Sequence, residues 1–265
     1  MLIADRNGMV SAKKSAPTAR DYVQTGLIAM WDSIENAGWG VHDAAATTWN
    51  DLVGSDDLTI SASSPWYWTD SSYKVDSPNA YQNIANASGN TDPTYAEVCF
   101  NNEVPASGEK FVLHFLGQKC LAVGAYTNIG GGYLKYTALS EGKHSVGVDW
   151  TAPKVTDNGV DLSGSGSAGT WYSAGVSLQI GYFGNNRYPF YGELFSIRLY
   201  SRALTDAEIA ANYAVDVERF NLTGGGRKCV VVLIICAVCS ARSRSRSPSS
   251  FSCPRQPSSE WRAAA

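Results

Sequence analysis

Charge, histidine and sulfur are scarce in this sequence. Charged residues make up 17% of the 265 positions, and the chain has three His, three Met and six Cys. Four of the six cysteines lie after residue 223, which leaves Cys99 and Cys120 in the body of the chain. A hydrophobic content of 44% with so little charge excludes a disordered chain. We expect these two cysteines to be buried free thiols, with a cross-strand disulfide as the alternative.

Basic residues are especially few in the body of the chain. Residues 1–223 carry 14 basic and 23 acidic residues, a net charge of −9, whereas residues 224–265 carry seven basic residues and one acidic residue, Glu260. An acidic body repels phosphate, so we expect no nucleic-acid partner. The shift in composition predicts an irregular N-terminal segment over residues 1–21, one domain over residues 22–223 and a low-complexity, disordered tail over residues 224–265.

A hydrophobic run long enough to cross a membrane is also lacking. The apolar run Cys229–Cys239 has eleven residues, fewer than the roughly 17–25 that a membrane-spanning helix needs. No apolar stretch follows Lys13 and Lys14, so we expect neither a secretory signal peptide nor a transmembrane span. Cys236 and Cys239 have a redox or half-zinc spacing, and Ser and Arg alternate after them. We expect a disordered appendage here, with RNA binding, membrane anchoring and metal binding as alternatives.

The sequence pattern predicts many short strands. Runs of β-branched and aromatic residues recur between residues 26 and 200, separated by Gly, Asn, Asp, Ser and Pro. Asn158-Gly159 predicts a hairpin, because both residues tolerate positive φ. The sequence therefore predicts an all-β, two-sheet antiparallel jelly-roll sandwich of roughly a dozen strands. Strict alternation predicts three groups that each share a strand face: Val146, Val148 and Trp150; Val176, Leu178 and Ile180; Phe195, Ile197 and Leu199.

One short helix is expected near the end of the domain. Thr205 and Glu208 have the spacing of a capping box, in which the Thr hydroxyl accepts from the Glu amide and the Glu carboxylate reaches back. The pattern predicts a helix over about residues 206–219 that covers a sheet edge or one end of the sandwich. The residues expected near one face of this helix are Ile209, Tyr213 and Val217.

The segment Tyr188–Phe220 resembles the terminal signature of laminin-G-like, concanavalin A-like jelly-roll domains. In that signature a Gly enters a strand ending in R-[IL]-Y, followed by R-A-L-[ST]-x-x-E-I and an N-Y pair on the closing helix. Gly26–Asp32 and Thr48–Thr59 resemble the opening strand and the next turn, so the resemblance covers about residues 22–220. Asn36–Asp43 is similar to variants from gut bacteria and their phages. The matching signature residues are Gly192, Arg198, Leu199, Tyr200, Arg202, Ala203, Leu204, Thr205, Glu208, Ile209, Asn212 and Tyr213.

The resemblance implies a module that binds glycans or proteins, because only a minority of these domains are enzymes. Many of them hold a structural calcium through an Asp three residues after the strand-entry Gly. That position is Phe195 in this chain, and its side chain lacks the oxygen donor that calcium prefers. We therefore expect no cofactor and no metal, with a structural calcium as the alternative.

Carboxylate pairs suited to glycoside hydrolysis are missing from the predicted strands. A retaining glycosidase needs two carboxylates about 5–5.5 Å apart, which on a strand means alternate positions. The pairs Asp206/Glu208 and Asp216/Glu218 lie on the predicted helix, where that spacing separates them. His144 is expected in the core or at its rim. The chain is therefore expected not to be an enzyme, with a glycoside hydrolase as an alternative.

Aromatic residues remain as a possible binding surface. A sugar ring packs on a Trp or Tyr ring while neighbouring amide, carboxylate or guanidinium groups bind its hydroxyls. We expect a carbohydrate site with no catalytic residue. The candidate ligand-binding residues are Trp66, Trp68, Asp70, Asn185, Asn186, Arg187 and Tyr188.

Together these observations predict a non-catalytic carbohydrate-binding or adhesion module of a phage or bacterial surface protein. A structural or protein-interaction domain of a virion or surface assembly is the alternative. The expected partner is a glycan or a surface protein within a larger assembly. The expected location is a virion, a cell surface or the extracellular space.

Overall fold

The structure is a computed structural model of the chain, and it describes residues 2–4, 10–12, 15–60, 65–75, 84–87, 92–103, 110–115, 119–129, 134–166, 178–181 and 190–222. The chain forms two compact units, Met1–Gly225 and Gly226–Ala265. All described residues belong to the first unit. The tail cysteines, the apolar run and the Ser/Arg stretch lie outside the described residues, so their assignments stay predictions.

Strands are the predominant regular secondary structure of the described chain. One 3-10 turn, Ala19–Asp21, and one α-helix, α1 (Asp206–Phe220), accompany them. The strands are β1 (Leu2–Ala4), β2 (Val10–Ala12), β3 (Leu27–Asp32), β4 (Thr48–Trp49), β5 (Leu58–Thr59), β6 (Tyr67–Trp68), β7 (Tyr73–Val75), β8 (Ile84–Ala87), β9 (Tyr95–Asn102), β10 (Lys110–Phe115), β11 (Cys120–Val123), β12 (Thr127–Asn128), β13 (Leu134–Tyr136), β14 (Gly142–Asp149), β15 (Lys154–Asp157), β16 (Val160–Asp161), β17 (Gly164–Gly166), β18 (Leu178–Ile180) and β19 (Gly192–Tyr200).

Two large antiparallel sheets carry the fold. The seven-stranded sheet has the order β17-β13-β12-β11-β10-β18-β8. The eight-stranded sheet has the order β16-β15-β14-β9-β19-β7-β6, with β3 also paired to β19. Two short ribbons, β1-β2 and β4-β5, lie apart from these sheets in the pairing pattern. The predicted all-β sandwich with one C-terminal helix is confirmed.

The main hydrophobic core combines residues from both sheets. Val146, Val148 and Trp150 all belong to it, as their alternation predicted. His144 is 4% exposed, and its Nδ1 lies 2.9 Å from Asp157 Oδ1. The predicted core or rim position of His144 is therefore correct.

One predicted strand face is wrong, because β19 contains a β-bulge. Ile197 and Leu199 pack in the main core, but Phe195 packs instead on Phe220 of α1, with ring centroids 5.1 Å apart. The pairing register of β19 with β9 shifts at Phe195. A bulge inserts one extra residue into a strand, so the alternation of faces is shifted by one position across it. Residues before and after the bulge therefore do not lie on the faces that strict alternation predicts.

The predicted helix and hairpin are confirmed, and they have the predicted capping hydrogen bonds and turn dihedral angles. Thr205 Oγ1 accepts from the Glu208 amide at 3.3 Å, and Glu208 Oε2 accepts from the Thr205 amide at 2.9 Å. The helix ends at Asn221, whose φ is 51°. Asn158 and Gly159 have φ of 52° and 75° and join β15 to β16.

A buried arginine on β19 ties the eight-stranded sheet to α1. Arg198 is fully buried, and its Nε donates to Glu97 Oε2 at 3.0 Å. Its two terminal nitrogens donate to both carboxylate oxygens of Asp216, at 2.8 and 2.7 Å. Asn212 of α1 donates to the same Glu97 oxygen at 2.6 Å. The helix is therefore fixed to the sheet by ionic hydrogen bonds as well as by apolar packing.

A second arginine at the end of α1 fixes the N-terminal part of the domain. Arg219 donates to Asp32 Oδ1 at 2.7 Å and to Glu35 Oε1 at 3.2 Å. It also donates to the Pro17 carbonyl at 2.9 Å. The same Glu35 oxygen accepts from the Ala19 amide at 2.9 Å. One guanidinium thus joins β3, the following loop and residues 17–19.

The domain is expected to gain stability as the pH falls below neutral. Burial raises the pKa of Asp32 from 3.8 to about 6, although Arg219 lowers it, and burial raises the pKa of Glu97 to about 7. A carboxyl whose pKa is raised on folding stabilises the fold at low pH and loses that contribution as the pH rises through the raised value. We expect the free energy of unfolding to be about 3–4 kcal/mol larger near pH 5 than near pH 7, with contributions from both carboxyls.

Urea denaturation at the two pH values measures this difference. Asp32→Asn is the matched variant, because it removes one of the two titrating groups and should reduce the pH dependence. A domain that is equally stable or more stable near pH 7 would contradict the account.

Both cysteines in the body of the domain are free and buried. Cys99 packs with Phe195 and Phe220 beneath α1, whereas Cys120 packs with Phe111 on the seven-stranded sheet. The free-thiol expectation is correct, and the disulfide alternative is wrong because the two thiols lie on different sheets. Within the described part of the chain, no helix is long and apolar enough to cross a membrane.

Candidate functional site

The two tryptophans predicted to contact a sugar point into the core. Trp66 and Trp68 are 6% and 8% exposed, and their rings lie 5.2 and 4.4 Å from the Tyr73 ring. Asp70 is exposed in the turn after β6. The exposed ring of this segment is Tyr67, at 44%. The shared face of the two tryptophans was predictable from their spacing, but alternation alone does not say which side of a sheet faces the core.

The other four candidate residues lie outside the described part of the chain. They belong to the stretch of sequence between Gly181 and Phe190, two residues that are joined where the Phe190 amide donates to the Gly181 carbonyl at 2.8 Å. The Phe190 ring stacks on Trp66 with centroids 6.4 Å apart. Phe190, at the end of the second predicted segment, therefore lies beside the first one, while the roles of four candidate residues stay predictions: Asn185, Asn186, Arg187 and Tyr188.

A cleft of about 480 Å³ opens at the β17 end of the seven-stranded sheet. We call it the Tyr126 cleft. Strands β13 and β17 and the segment before β12 line it. Its described lining residues are Ala125, Tyr126, Lys135, Tyr136, Thr137, Ala138, Ser163, Gly164 and Ser165. Only one of them, Lys135, carries a charge.

Lys135 points out of the sheet because it lies between two buried residues of β13. Its Nζ lies 4.9 Å from the centroid of the Tyr126 ring, and Tyr126 is 48% exposed. Among the residues that the structure describes, no carboxylate lies within salt-bridge distance of Lys135. The cleft therefore offers an anion an ammonium group that no described carboxylate neutralises.

Hydroxyl groups and a glycine complete the cleft. The Thr137 amide and Oγ1 both donate to the Ser163 carbonyl, at 2.8 and 3.1 Å, which holds the two strands together. Burial, and secondarily the charge of Asp149, raises the pKa of Tyr136, so its phenol stays protonated at neutral pH. A Cβ on Gly164 would lie 2.3 Å from the Tyr136 ring. Only glycine leaves room for that ring at the cleft wall.

No family model and no curated protein matches this chain, but solved structures do. The Trypanosoma rangeli sialidase in complex with 2,3-difluorosialic acid, a covalent intermediate, is 15% identical with a TM-score of 0.53; the match covers 72% of this chain and 33% of that chain. The same sialidase in complex with sialic acid is 14% identical with a TM-score of 0.53, covering 80% and 35%. A mutant with trans-sialidase activity is 15% identical with a TM-score of 0.52, covering 72% and 33%.

The chain thus shares the concanavalin-like β-sandwich fold of these carbohydrate-active proteins, and it spans about a third of their length. The resemblance deduced from the sequence is confirmed at the level of the fold. The predictions of a non-catalytic module and of no enzyme are wrong, because the matched structures are sialidases. The absence of carboxylate pairs on the predicted strands does not argue against a sialidase. Sialidases use a tyrosine nucleophile instead of the two-carboxylate scheme.

A tyrosine, an arginine and two carboxylates meet elsewhere in the fold, beneath α1. Tyr22 donates to Asp216 at 2.7 Å, and its ring lies 4.1 Å from the Arg198 guanidinium. With Glu97, these residues are at most 2% exposed. Burial raises the pKa of Tyr22, whereas a nucleophile needs a lowered one. This cluster therefore stabilises the fold, and the Tyr126 cleft is the candidate ligand site.

Proposed function

We propose that this chain is the β-sandwich part of a sialidase-type glycoside hydrolase, and that the Tyr126 cleft holds the sialic-acid end of the glycan. The observation that carries the proposal is the Lys135 ammonium, which stands 4.9 Å from the exposed Tyr126 ring without a carboxylate partner among the described residues. A sialic acid presents one carboxylate, several hydroxyls and an apolar ring edge. The cleft offers a matching group for each of them.

Each lining residue has a distinct part in this binding. Lys135 pairs with the sugar carboxylate, and a charge-assisted hydrogen bond is about twice as strong as a neutral one. Tyr126 packs against the C–H groups of the ring. Ser165 donates to and accepts from the hydroxyls, and Thr137 Oγ1 accepts, because its own hydrogen is donated to the Ser163 carbonyl. One exposed ion pair and one ring contact give weak binding, with a dissociation constant of about 1 mM.

Binding in the cleft orients the glycan, whereas hydrolysis needs an accessible nucleophile and a general acid. Among the described residues, the tyrosine, glutamate and arginine that meet beneath α1 are closed to substrate. We therefore place the bond-breaking groups outside the described residues. This division agrees with a chain that spans about a third of the sialidases it matches.

We further propose that the domain is the laminin-G-like variant of the fold and that it acts outside the cell or at a virion or cell surface. The signature residues support this variant, because they hold the helix to the sheet. Arg198 and Asn212 both bind Glu97, and Glu208 forms the helix cap. Sialylated glycans are found at cell surfaces and in secretions, which supports the location.

Titration with sialyllactose, followed by NMR, tests the proposed function. The ring signals of Tyr126 and the side-chain signals of Lys135 are expected to shift with saturation near 1 mM, about −4 kcal/mol. Lactose, which lacks the carboxylate, is the matched control ligand and should bind several-fold more weakly. Released sialic acid, measured in the same samples, would place the hydrolysis in this chain itself. Equal binding of the two sugars, or none, would overturn the assignment of the cleft.

A further inference from the structure

A row of side chains crosses the eight-stranded sheet on the face turned away from the core. Its members are register partners on neighbouring strands: Tyr67 with Lys74, Lys74 with Glu193, Glu193 with Asn101, and Asn101 with Lys143. We call this the Tyr67 row. Neighbouring strands lie about 4.8 Å apart, so five strands give a row of about 19 Å. That length suits an extended chain rather than a single small molecule.

Contacts within the row fix its polar groups. Asn101 Nδ2 donates to Glu193 Oε2 at 3.3 Å and to Glu103 Oε1 at 3.0 Å. Lys74 Nζ lies 3.6 Å from Glu193 Oε1. Lys143 Nζ donates to the Phe220 carbonyl at the end of α1, 2.7 Å away. All the polar side chains of the row remain partly exposed, so they are held in place and still reach solvent.

Tyr67 adds an exposed aromatic surface between the two tryptophans that the sequence singled out. Trp66 and Trp68 are buried on the core face, whereas Tyr67 lies between them and is 44% exposed. Alternation along β6 therefore places the one exposed ring of this segment at the end of the polar row. An exposed ring next to fixed amide and carboxylate groups is the combination that carbohydrate recognition needs.

We propose that the Tyr67 row is a second glycan site, which takes an extended neutral oligosaccharide. Glu193 of the row and Glu103 beside it accept hydrogen bonds from sugar hydroxyls, and Tyr67 packs against one sugar ring. Lys74, Lys143 and Glu193 of the row and the neighbouring Glu103 carry two positive and two negative charges, so together they give an anionic sugar no net attraction. The Tyr126 cleft differs, because the single charge among its described residues is positive.

Two sites on different sheets let the domain bind glycans at two points at once. A glycan with a neutral stem and a sialylated end, or two glycans on one surface, can occupy both sites. The second contact then forms at a high effective concentration, and the overall affinity exceeds that of either site alone.

The experiment is a calorimetric and NMR titration of the full chain with neutral hexasaccharides: cellohexaose, laminarihexaose and maltohexaose. At least one of them is expected to bind with a dissociation constant of about 1 mM and to shift the Tyr67 ring signals. Tyr67→Ala should weaken that binding by about 3–10-fold, the loss expected for one aromatic contact. Asn101→Ala should weaken it as well, because both glutamates lose the amide that positions them.

Tyr126→Ala is the cross-control, since it removes an equally exposed ring from the other sheet. It should leave neutral-sugar binding unchanged and weaken sialyllactose binding, whereas Tyr67→Ala should do the reverse. The proposal is overturned if no neutral hexasaccharide binds to the folded chain, or if Tyr126→Ala abolishes neutral-sugar binding while Tyr67→Ala has no effect. Because sialyllactose is measured separately, failure of the Tyr67 row leaves the cleft assignment intact.

Discussion

Arg198→Met is expected to destabilise the domain by about 3–5 kcal/mol, the usual loss when one partner of a buried ion pair is removed. Methionine fills much of the space, but Glu97 and Asp216 then stay buried without their cation. Arg198 donates to both of them and is fully buried itself. For a domain of this size the midpoint of thermal unfolding should fall by about 10 °C, which calorimetry or circular dichroism measures.

Arg202→Met is the matched control for Arg198→Met. Arg202 also binds a carboxylate through two nitrogens, at 2.9 and 2.6 Å from the Glu208 oxygens. This pair is partly exposed, however, at 33% and 27%, and exposed pairs contribute little. The midpoint should therefore change little. Adding Glu97→Gln to Arg198→Met should recover part of the lost stability, because one buried charge disappears. Equal losses for Arg198→Met and Arg202→Met would contradict a structural role for the buried network.

Lys135→Glu is expected to reduce the affinity for sialyllactose by about 30-fold. Two charges 4 Å apart in water interact with about 1 kcal/mol, so reversal removes one attraction and adds one repulsion of that size. The Lys135 side chain points out of β13, so the substitution should not disturb the core. Calorimetric or NMR titration of the variant against the unchanged chain measures the difference.

Two companion variants separate charge from shape at Lys135. Lys135→Met keeps the length without the charge and should show about half of the effect in free energy. Lys135→Arg keeps the charge and should retain binding within a few-fold. Raising the salt concentration should weaken binding to the unchanged chain and strengthen binding to Lys135→Glu. Unchanged affinity in Lys135→Glu would show that the sugar carboxylate lies elsewhere.

Local patterns in the sequence were sufficient for most of the fold. The capping box at Thr205 and the Asn158-Gly159 turn depend on neighbouring residues alone, and both have the predicted geometry. The predicted strand face of Phe195 was wrong, because a bulge changes the alternation of side chains and the residue types give no sign of it. The sequence likewise shows that Trp66 and Trp68 share a face, but only the packing of the second sheet makes that face the core.

The candidate site was beyond sequence reasoning for a different reason. Tyr126, Lys135 and Ser165 belong to separate strands or turns, and register pairing brings them together. None of them belongs to a motif. A lysine between two buried residues on a strand reads as an ordinary solvent-facing position. Paired carboxylates are no guide to the sialidases that share this fold, because those enzymes use a tyrosine nucleophile.

A crystal structure of the chain soaked with sialyllactose tests the central claim most directly. The account predicts sialic acid in the Tyr126 cleft, with its carboxylate about 2.7–2.9 Å from Lys135 Nζ, the distance of a charge-assisted hydrogen bond. The ring should pack against Tyr126, and the lactose part should extend towards Ser163 and Ser165. An empty cleft at saturating ligand, or a sialic acid bound with its carboxylate away from Lys135, would contradict the account.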